Sequence, residues 1–208
     1  MHGAYVSVTV AVVSVVCGVV VGGLIGSLVG FVRGQTETVL MALIDVLLAF
    51  PALVLLLALI SIFEVRDLFV ISFVIGLLSI PAYTRVSRAN SLAISNREFV
   101  LAAQAIGTKR WTILRREIIP NVMPTLLAYA MVAAAAVVVV EGSLSFLGLS
   151  VQLPQSSWGN MINQARRDIK INFGQILYPS MILTLTVLAL NQVGDFFQRR
   201  SAFRGSSL

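Results

Sequence analysis

YVSVTVAVVSVVCGVVVGGLIGSLVGFV, residues 5–32, is a run of 28 residues without a single charged side chain. About 20 apolar residues in a helix cross the hydrocarbon core of a bilayer, so this stretch is long enough to span one. It is longer than the apolar core of a secretory signal, and no basic segment precedes it. Inside it, Ser14, Gly18, Gly22, Gly26 and Gly30 recur at every fourth position. Helices in lipid gain little by burying apolar surface against each other; small residues let their backbones approach and gain van der Waals contact. The ladder therefore predicts a face packed tightly on another helix, in this chain or in a partner subunit. Generic glycine enrichment of membrane helices is the alternative.

Working outward, the same composition continues. Of the 208 residues, 58% are hydrophobic and only 12% charged, against roughly a quarter charged in soluble domains. Four more apolar runs follow, at about Thr38–Phe63, Leu68–Tyr83, Thr125–Leu149 and Phe173–Phe197. They are separated by a short turn, Glu64–Asp67, and by polar segments over residues 84–124 and 150–172. Lipid offers the backbone no hydrogen-bond partners, so such runs must be helices, and they do not alternate as barrel strands do. The expectation is an all-α, polytopic transmembrane helical bundle of five spans, one domain over residues 1–208.

The net charge of +6 does not point to nucleic acid, because the basic residues sit between the spans. With residues 84–124 in the cytoplasm, the inner side carries Arg33, Arg85, Arg88, Arg97, Lys109, Arg110, Arg115, Arg116, Arg199, Arg200 and Arg204. The outer side carries Arg66, Arg166, Arg167 and Lys170. This bias places the C-terminus in the cytoplasm and, with five spans, the N-terminus outside. Cys17 and His2 are single residues of their types, so neither a metal cage nor a catalytic Cys/His pair is expected.

The segment Ser95–Pro120 reads SNREFVLAAQAIGTKRWTILRREIIP. Ser95 and Glu98 have the spacing of a capping box, followed by a short helix over Asn96–Ile106. Phe99, Ala102, Ala103 and Ile106 form one narrow apolar face, and Gly107 fits a C′ glycine. Thr108 can cap a second helix with Trp111, Leu114 and Ile118 on its apolar face, stopped by Pro120 and Pro124. A short helix with alanines at its apolar centre suits docking into a groove of a soluble partner; lying on the membrane surface is the other reading.

This stretch resembles the EAA motif of ABC importer permeases. Ala102, Ala103, Gly107 and Pro120 stand at the motif's spacing, with Leu101 in place of its glutamate and Glu117 in place of its isoleucine. Arg97-Glu98-Phe99 is similar to the dipeptide/oligopeptide/nickel branch, and its C-type subunit is the nearest resemblance. So are Leu40–Pro51, Pro81–Arg88, Glu141–Leu149, Ser157–Met161 and Leu185–Asn191. The resemblance implies the type I ABC importer transmembrane fold, a second homologous permease, two ABC ATPase subunits and an extracytoplasmic solute-binding protein. It implies a cell-membrane location, a peptide substrate, and a coupling helix formed by Arg97, Glu98, Phe99, Ala102, Ala103, Ile106 and Gly107. ATP and Mg would be held by the partners, with no cofactor in this chain: no GxxxxGK(S/T) phosphate loop occurs, and neither lysine, Lys109 nor Lys170, follows glycine. It also implies that the first span here corresponds to the family's second helix, the first being truncated or absent. Nickel, glutathione or another small solute are alternative cargoes, and a gradient-driven carrier is the alternative mechanism.

Two carboxylates fall inside apolar runs. Glu141 is expected to line or gate a translocation path, because buried charge in a span usually faces the bundle interior or water; a helix-to-helix hydrogen bond is the alternative. Asp45 is expected either on that path or paired with Arg85 or Arg88. Asp195 and Arg199 have ion-pair spacing, Pro51 and Pro179 are expected to bend their helices, and Trp158 and Tyr178 to anchor at the outer interface. The outer Arg166, Arg167, Asp168 and Lys170 suit either binding-protein contact or a solvated helix.

Overall fold

Each long apolar run satisfies its own amides as helix, as lipid requires. The structure, a computed structural model, describes residues 2–62, 67–151, 156–168 and 172–205. Four helices are long and apolar enough to span a membrane: α1 (Gly3–Val32), α4 (Leu68–Ser95), α6 (Arg110–Phe146) and α8 (Gly174–Arg199). A fifth span is made of two pieces, α2 (Gln35–Ala49) and α3 (Ala52–Ile62), bent by 87° at the break. Two short helices complete the described chain: α5 (Glu98–Ala105), at the end where α4 finishes, and α7 (Trp158–Ala165), at the opposite end. The predicted Glu64–Asp67 turn, apart from Asp67, lies outside the described residues, as do Arg66 and Lys170.

The α1–α4 pair is the frame. A methyl group built on Gly22 would lie 2.7 Å from the Ile80 carbonyl, and one on Gly30 would lie 2.6 Å from that of Arg88. Gly18 meets the Tyr83 ring, and Gly26 meets the backbone at Thr84. The ladder thus finds its partner within the chain. α4 answers with small polar residues: Ser72 accepts through its carbonyl from Ser14 (2.8 Å), Ser87 donates to the Gly23 carbonyl (2.7 Å) and Ser91 to that of Ser27 (2.8 Å). α6 packs against both α1 and α4, α8 lies along α6, and α7 sits where α1, α6 and α8 meet. One apolar core fills the α7 half, around Val10, Ile71, Val138, Leu144 and Trp158. A second fills the α5 half, around Phe31, Tyr83, Ile113, Ile118 and Leu126.

Several expectations are corrected. α4 does not end at Tyr83 but continues through residues 84–95 as helix, because Ser87 and Ser91 are packing residues against α1. Ser95 is therefore the last residue of α4 and bonds the Ser91 carbonyl; it is not a cap, and α5 starts at Glu98 with Arg97 before it. Pro120 and Pro124 do not stop α6: a π turn at Leu114–Ile118 precedes Pro120, a local readjustment of the ladder next to a residue that cannot donate. Lys109, not Thr108, precedes α6. Pro51 does more than bend a helix: Phe50 is extended (φ −79°, ψ 137°), the geometry a residue before proline prefers, and the span breaks there. Trp158 is not an interface anchor but part of the core, 5% exposed. Tyr178 is exposed as expected. Asp195 and Arg199 do not pair; the two ion pairs among the described residues are elsewhere.

Candidate functional site

The α4–α5 turn and α5 itself form the first feature built for work. Arg97 is extended (φ −78°, ψ 150°) and turns the chain out of α4, with Glu98 in the first turn of α5. Val100 points inward and is completely buried in the core that holds Phe31, Ile113, Leu114 and Ile118. The helix ends in a full Schellman turn: the Gly107 amide donates to the Gln104 carbonyl and the Thr108 amide to that of Ala103, both at 3.0 Å, with Gly107 at φ 80°. Only glycine adopts that backbone without strain, which is why the motif reads so clearly from sequence.

With Val100 fixing its rotation, α5 turns Phe99, Ala102 and Ile106 outward, while Ala103 is half-buried against the core. Ile106 is 83% exposed and the neighbouring Trp111 66%. The expected face is therefore right in Phe99, Ala102 and Ile106, and Ala103 belongs to its buried edge. Trp111 is the addition. It was expected to share the apolar face of the next helix with Leu114 and Ile118, yet those two are buried and Trp111 is exposed. Phe99, Ile106 and Trp111 thus leave an exposed apolar cluster at the α5 end of the bundle.

Beside this end lies an open groove of about 700 Å³ between α2 and α4, lined by Glu37, Met41, Asp45, Arg85 and Arg88 among others. Arg85 pairs with Asp45 at 2.6 Å, and Arg88 with Glu37. α2 is otherwise loosely held, Ile44 being its one buried residue. Both partners of the Arg85–Asp45 pair are more than half exposed. Charges do not face hydrocarbon at this level of a span, so the groove faces water or protein.

Glu141 has a different setting. It is completely buried. Ser7 donates to one carboxylate oxygen (2.9 Å); Ser145 (2.7 Å) and Ser150 (3.1 Å) donate to the other. Because the Ser145 proton is committed to Glu141, Ser157 donates to Ser145 (2.8 Å) and in turn accepts from the Asn160 amide (3.2 Å). The Trp158 amide reaches Ser7 at 3.4 Å. Glu141 was expected along an open path; the structure encloses it as the hub joining α1, α6, the turn after α6 and α7. The signal that could have shown this is the serine set at Ser7, Ser145, Ser150 and Ser157. Among the described residues no group of His, Cys, Asp and Glu is arranged to hold a metal.

The description "Binding-protein-dependent transport system inner membrane component" matches residues 22–205. The chain belongs to this family. The glutathione transport system permease protein GsiD of Escherichia coli O6:K15:H31 is 35% identical over 193 residues, covering 93% of this chain and 63% of that protein. GsiD of Pectobacterium atrosepticum is 34% identical over 165 residues, 79% of this chain and 54% of that protein. The oligopeptide transport system permease protein OppC of Haemophilus influenzae is 31% identical over 193 residues, 93% of this chain and 58% of that protein. The chain thus spans 54% to 63% of the length of these relatives. Among solved structures, a chain of the methionine ABC transporter MetNI in an inward-facing conformation superposes with a TM-score of 0.74 at 18% identity, covering 96% of this chain and 94% of that one. That likeness speaks for the fold. The expected ABC-importer transmembrane bundle is the fold found, and the chain is a multi-pass, membrane-embedded component.

Proposed function

We propose that this chain is the permease subunit of an ATP-driven importer that moves peptides across the cell membrane by alternating access. The relatives named for oligopeptide and glutathione transport make a short peptide, glutathione included, the cargo class it suits. It works with a second homologous permease, two ATPase subunits that hold ATP and Mg, and a solute-binding protein on the outer face. α5 and the C-terminus lie in the cytoplasm, and α7 faces outward. The observation that carries the reading is the apolar surface at the α5 end, exposed at Phe99 on α5, at Ile106 just after it and at Trp111 at the start of α6, with α5 seated through the buried Val100. It needs a soluble partner with a groove, and the ATPase is that partner. Closure of the ATPase dimer on nucleotide then moves α4 and α6 as rigid bodies through α5. The α2–α4 groove, with Asp45, forms the inner part of the path.

The test is a crosslink. With Cys17 replaced by serine, cysteine at Ala102 or Ile106 forms a disulfide with an engineered cysteine on the ATPase in the assembled transporter. Labelling of either position by an impermeant thiol reagent added outside intact cells refutes the assignment.

A further inference from the structure

We infer that Arg33 is a positioning residue that fixes the angle of the α5 coupling helix by bonding the turn that carries it. Arg33 is the one non-glycine residue with positive φ among those described, at φ 59° and ψ −173°. That region of backbone space belongs almost exclusively to glycine. Gly34 follows it at φ 78°, so the turn from α1 into α2 would form more easily with glycine at both places. A large side chain kept at such a position points to a use for the side chain. Its guanidinium donates to the side-chain oxygen of Asn96 at 2.8 Å.

Asn96 is the pivot of the device. α4 ends at Ser95, α5 begins at Glu98, and Asn96 and Arg97 are the whole joint between them. A two-residue joint can swing, and a swinging α5 would absorb the movement it has to transmit. The Arg97 amide bonds the Ile94 carbonyl across the joint at 3.0 Å, and two contacts from outside it also oppose the swing. On one side Val100 is buried against the core. On the other, Arg33 reaches across from the end of α1, which is itself immobilised on α4. Gly30 lies against the Arg88 carbonyl and Ser91 there, and Ser91 bonds the Ser27 carbonyl. Arg33 thus ties the joint to the stiffest pair of helices in the bundle. It touches neither nucleotide nor cargo, and its role is to keep the lever at one angle.

The inference rests on the coupling role proposed for α5. The experiment is done on the complete transporter in proteoliposomes, with transport and ATP hydrolysis measured on the same preparation. In Arg33→Gly the backbone strain is relieved, so the purified assembly melts at or above the wild-type temperature. Solute moved per ATP hydrolysed falls about three- to tenfold, the scale of the net contribution of one exposed hydrogen bond. Asn96→Ala gives the same fall, and the double variant is no worse than either alone. Arg33→Lys, which can still donate to Asn96, recovers most of the ratio. A wild-type ratio in Arg33→Gly overturns the inference. So does a fall in Arg33→Gly that Asn96→Ala does not share, because the arginine would then act as a cation at the membrane surface. The Ile106 cysteine crosslink separates the two layers: its failure in the otherwise unaltered transporter removes the coupling reading, whereas a crosslink with an unchanged ratio removes only the role of Arg33.

Discussion

The sharpest prediction concerns two glycines three residues apart in α1. Gly23 and Gly26 are both buried and both helical, yet a methyl group at each meets different matter. At Gly23 it would come within 2.9 Å of one atom, the Leu126 Cδ1, the free end of a flexible side chain. At Gly26 it would meet the Thr84 carbonyl, Ser87 Cβ at 2.7 Å and the Arg88 amide at 2.9 Å. These atoms belong to the frame of α4 and cannot step aside individually. To restore ordinary contact at Ser87 Cβ, α1 and α4 must part by about 0.7 Å at this level. That movement lengthens three bonds of 2.7–2.8 Å to about 3.4–3.5 Å, where they are largely lost: Ser27 to Ser87, Ser87 to the Gly23 carbonyl, and Ser91 to the Ser27 carbonyl. Each is worth about 0.6 kcal/mol in a membrane protein. Overpacking adds about 1–3 kcal/mol, and the better helix propensity of alanine returns at most about 1 kcal/mol. Gly26→Ala therefore destabilises by about 2–4 kcal/mol, while Gly23→Ala stays within about 1 kcal/mol of wild type. Equilibrium unfolding of the purified protein in mixed micelles with increasing dodecyl sulfate, followed by tryptophan fluorescence, measures both. Equal midpoints for the two variants would refute the claim that the ladder is a backbone-to-backbone contact.

Four further outcomes follow from the same geometry. Tyr83→Phe is neutral or stabilises by up to about 1 kcal/mol in the same assay, because the buried Tyr83 hydroxyl has no hydrogen-bond partner among the described residues; a loss of stability would mean the hydroxyl is satisfied. Glu141→Ala strands the hydroxyls of Ser7, Ser145 and Ser150 and destabilises by about 3 kcal/mol or more. Glu141→Gln, which still accepts, costs less, and rapid proteolysis near α7 in the alanine variant is the readout. Reversing the exposed pair by combining Asp45→Arg with Arg85→Asp leaves melting within about 1 kcal/mol of wild type and restores transport that either single change reduces; two inert single changes would place the groove off the path. Gly107→Val strains the φ 80° turn by about 1–2 kcal/mol, so transport per ATP falls while the subunits still copurify.

Sequence was informative wherever the determining interaction is local. The Gly107 turn, the apolar spans and the four-residue glycine register are each written in neighbouring residues, and each is found. The failures share a cause. Residues 84–95 look like loop because they carry Thr84, Arg85, Ser87, Arg88, Asn90 and Ser91, but polarity in a membrane helix has two meanings. The small hydroxyls turn toward the backbone of α1, and the two arginines turn toward Asp45 and Glu37 on α2. Only the partner helices separate these roles, and they lie 40 to 64 residues away in sequence. Pro120 was read as a stop because the neighbouring π turn leaves no pattern in the residues themselves.

Glu141 shows why the distinction matters for mechanism. A carboxylate in a span is costly unless water or donors reach it, so an isolated glutamate in an apolar run points to an aqueous path. Here the donors come from the chain itself, three hydroxyls from three segments, and the same network continues to α7. That makes the α7 half of α1, α6 and α7 one rigid unit. At the other end, the glycine face joins α1 to α4, and Arg33 and Val100 seat α5 on that pair. α1 and α6 are common to both ends, α6 carrying Glu141 at one and Ile113, Leu114 and Ile118 of the Val100 core at the other. On the coupling role proposed for α5, a push there reaches the Glu141 hub through these helices, whereas α2, held by two ion pairs and one buried isoleucine, is the less firmly held element. On the function proposed above, alternating access in this subunit is a motion of the α1–α4–α6–α7 body relative to α2, the element it holds least.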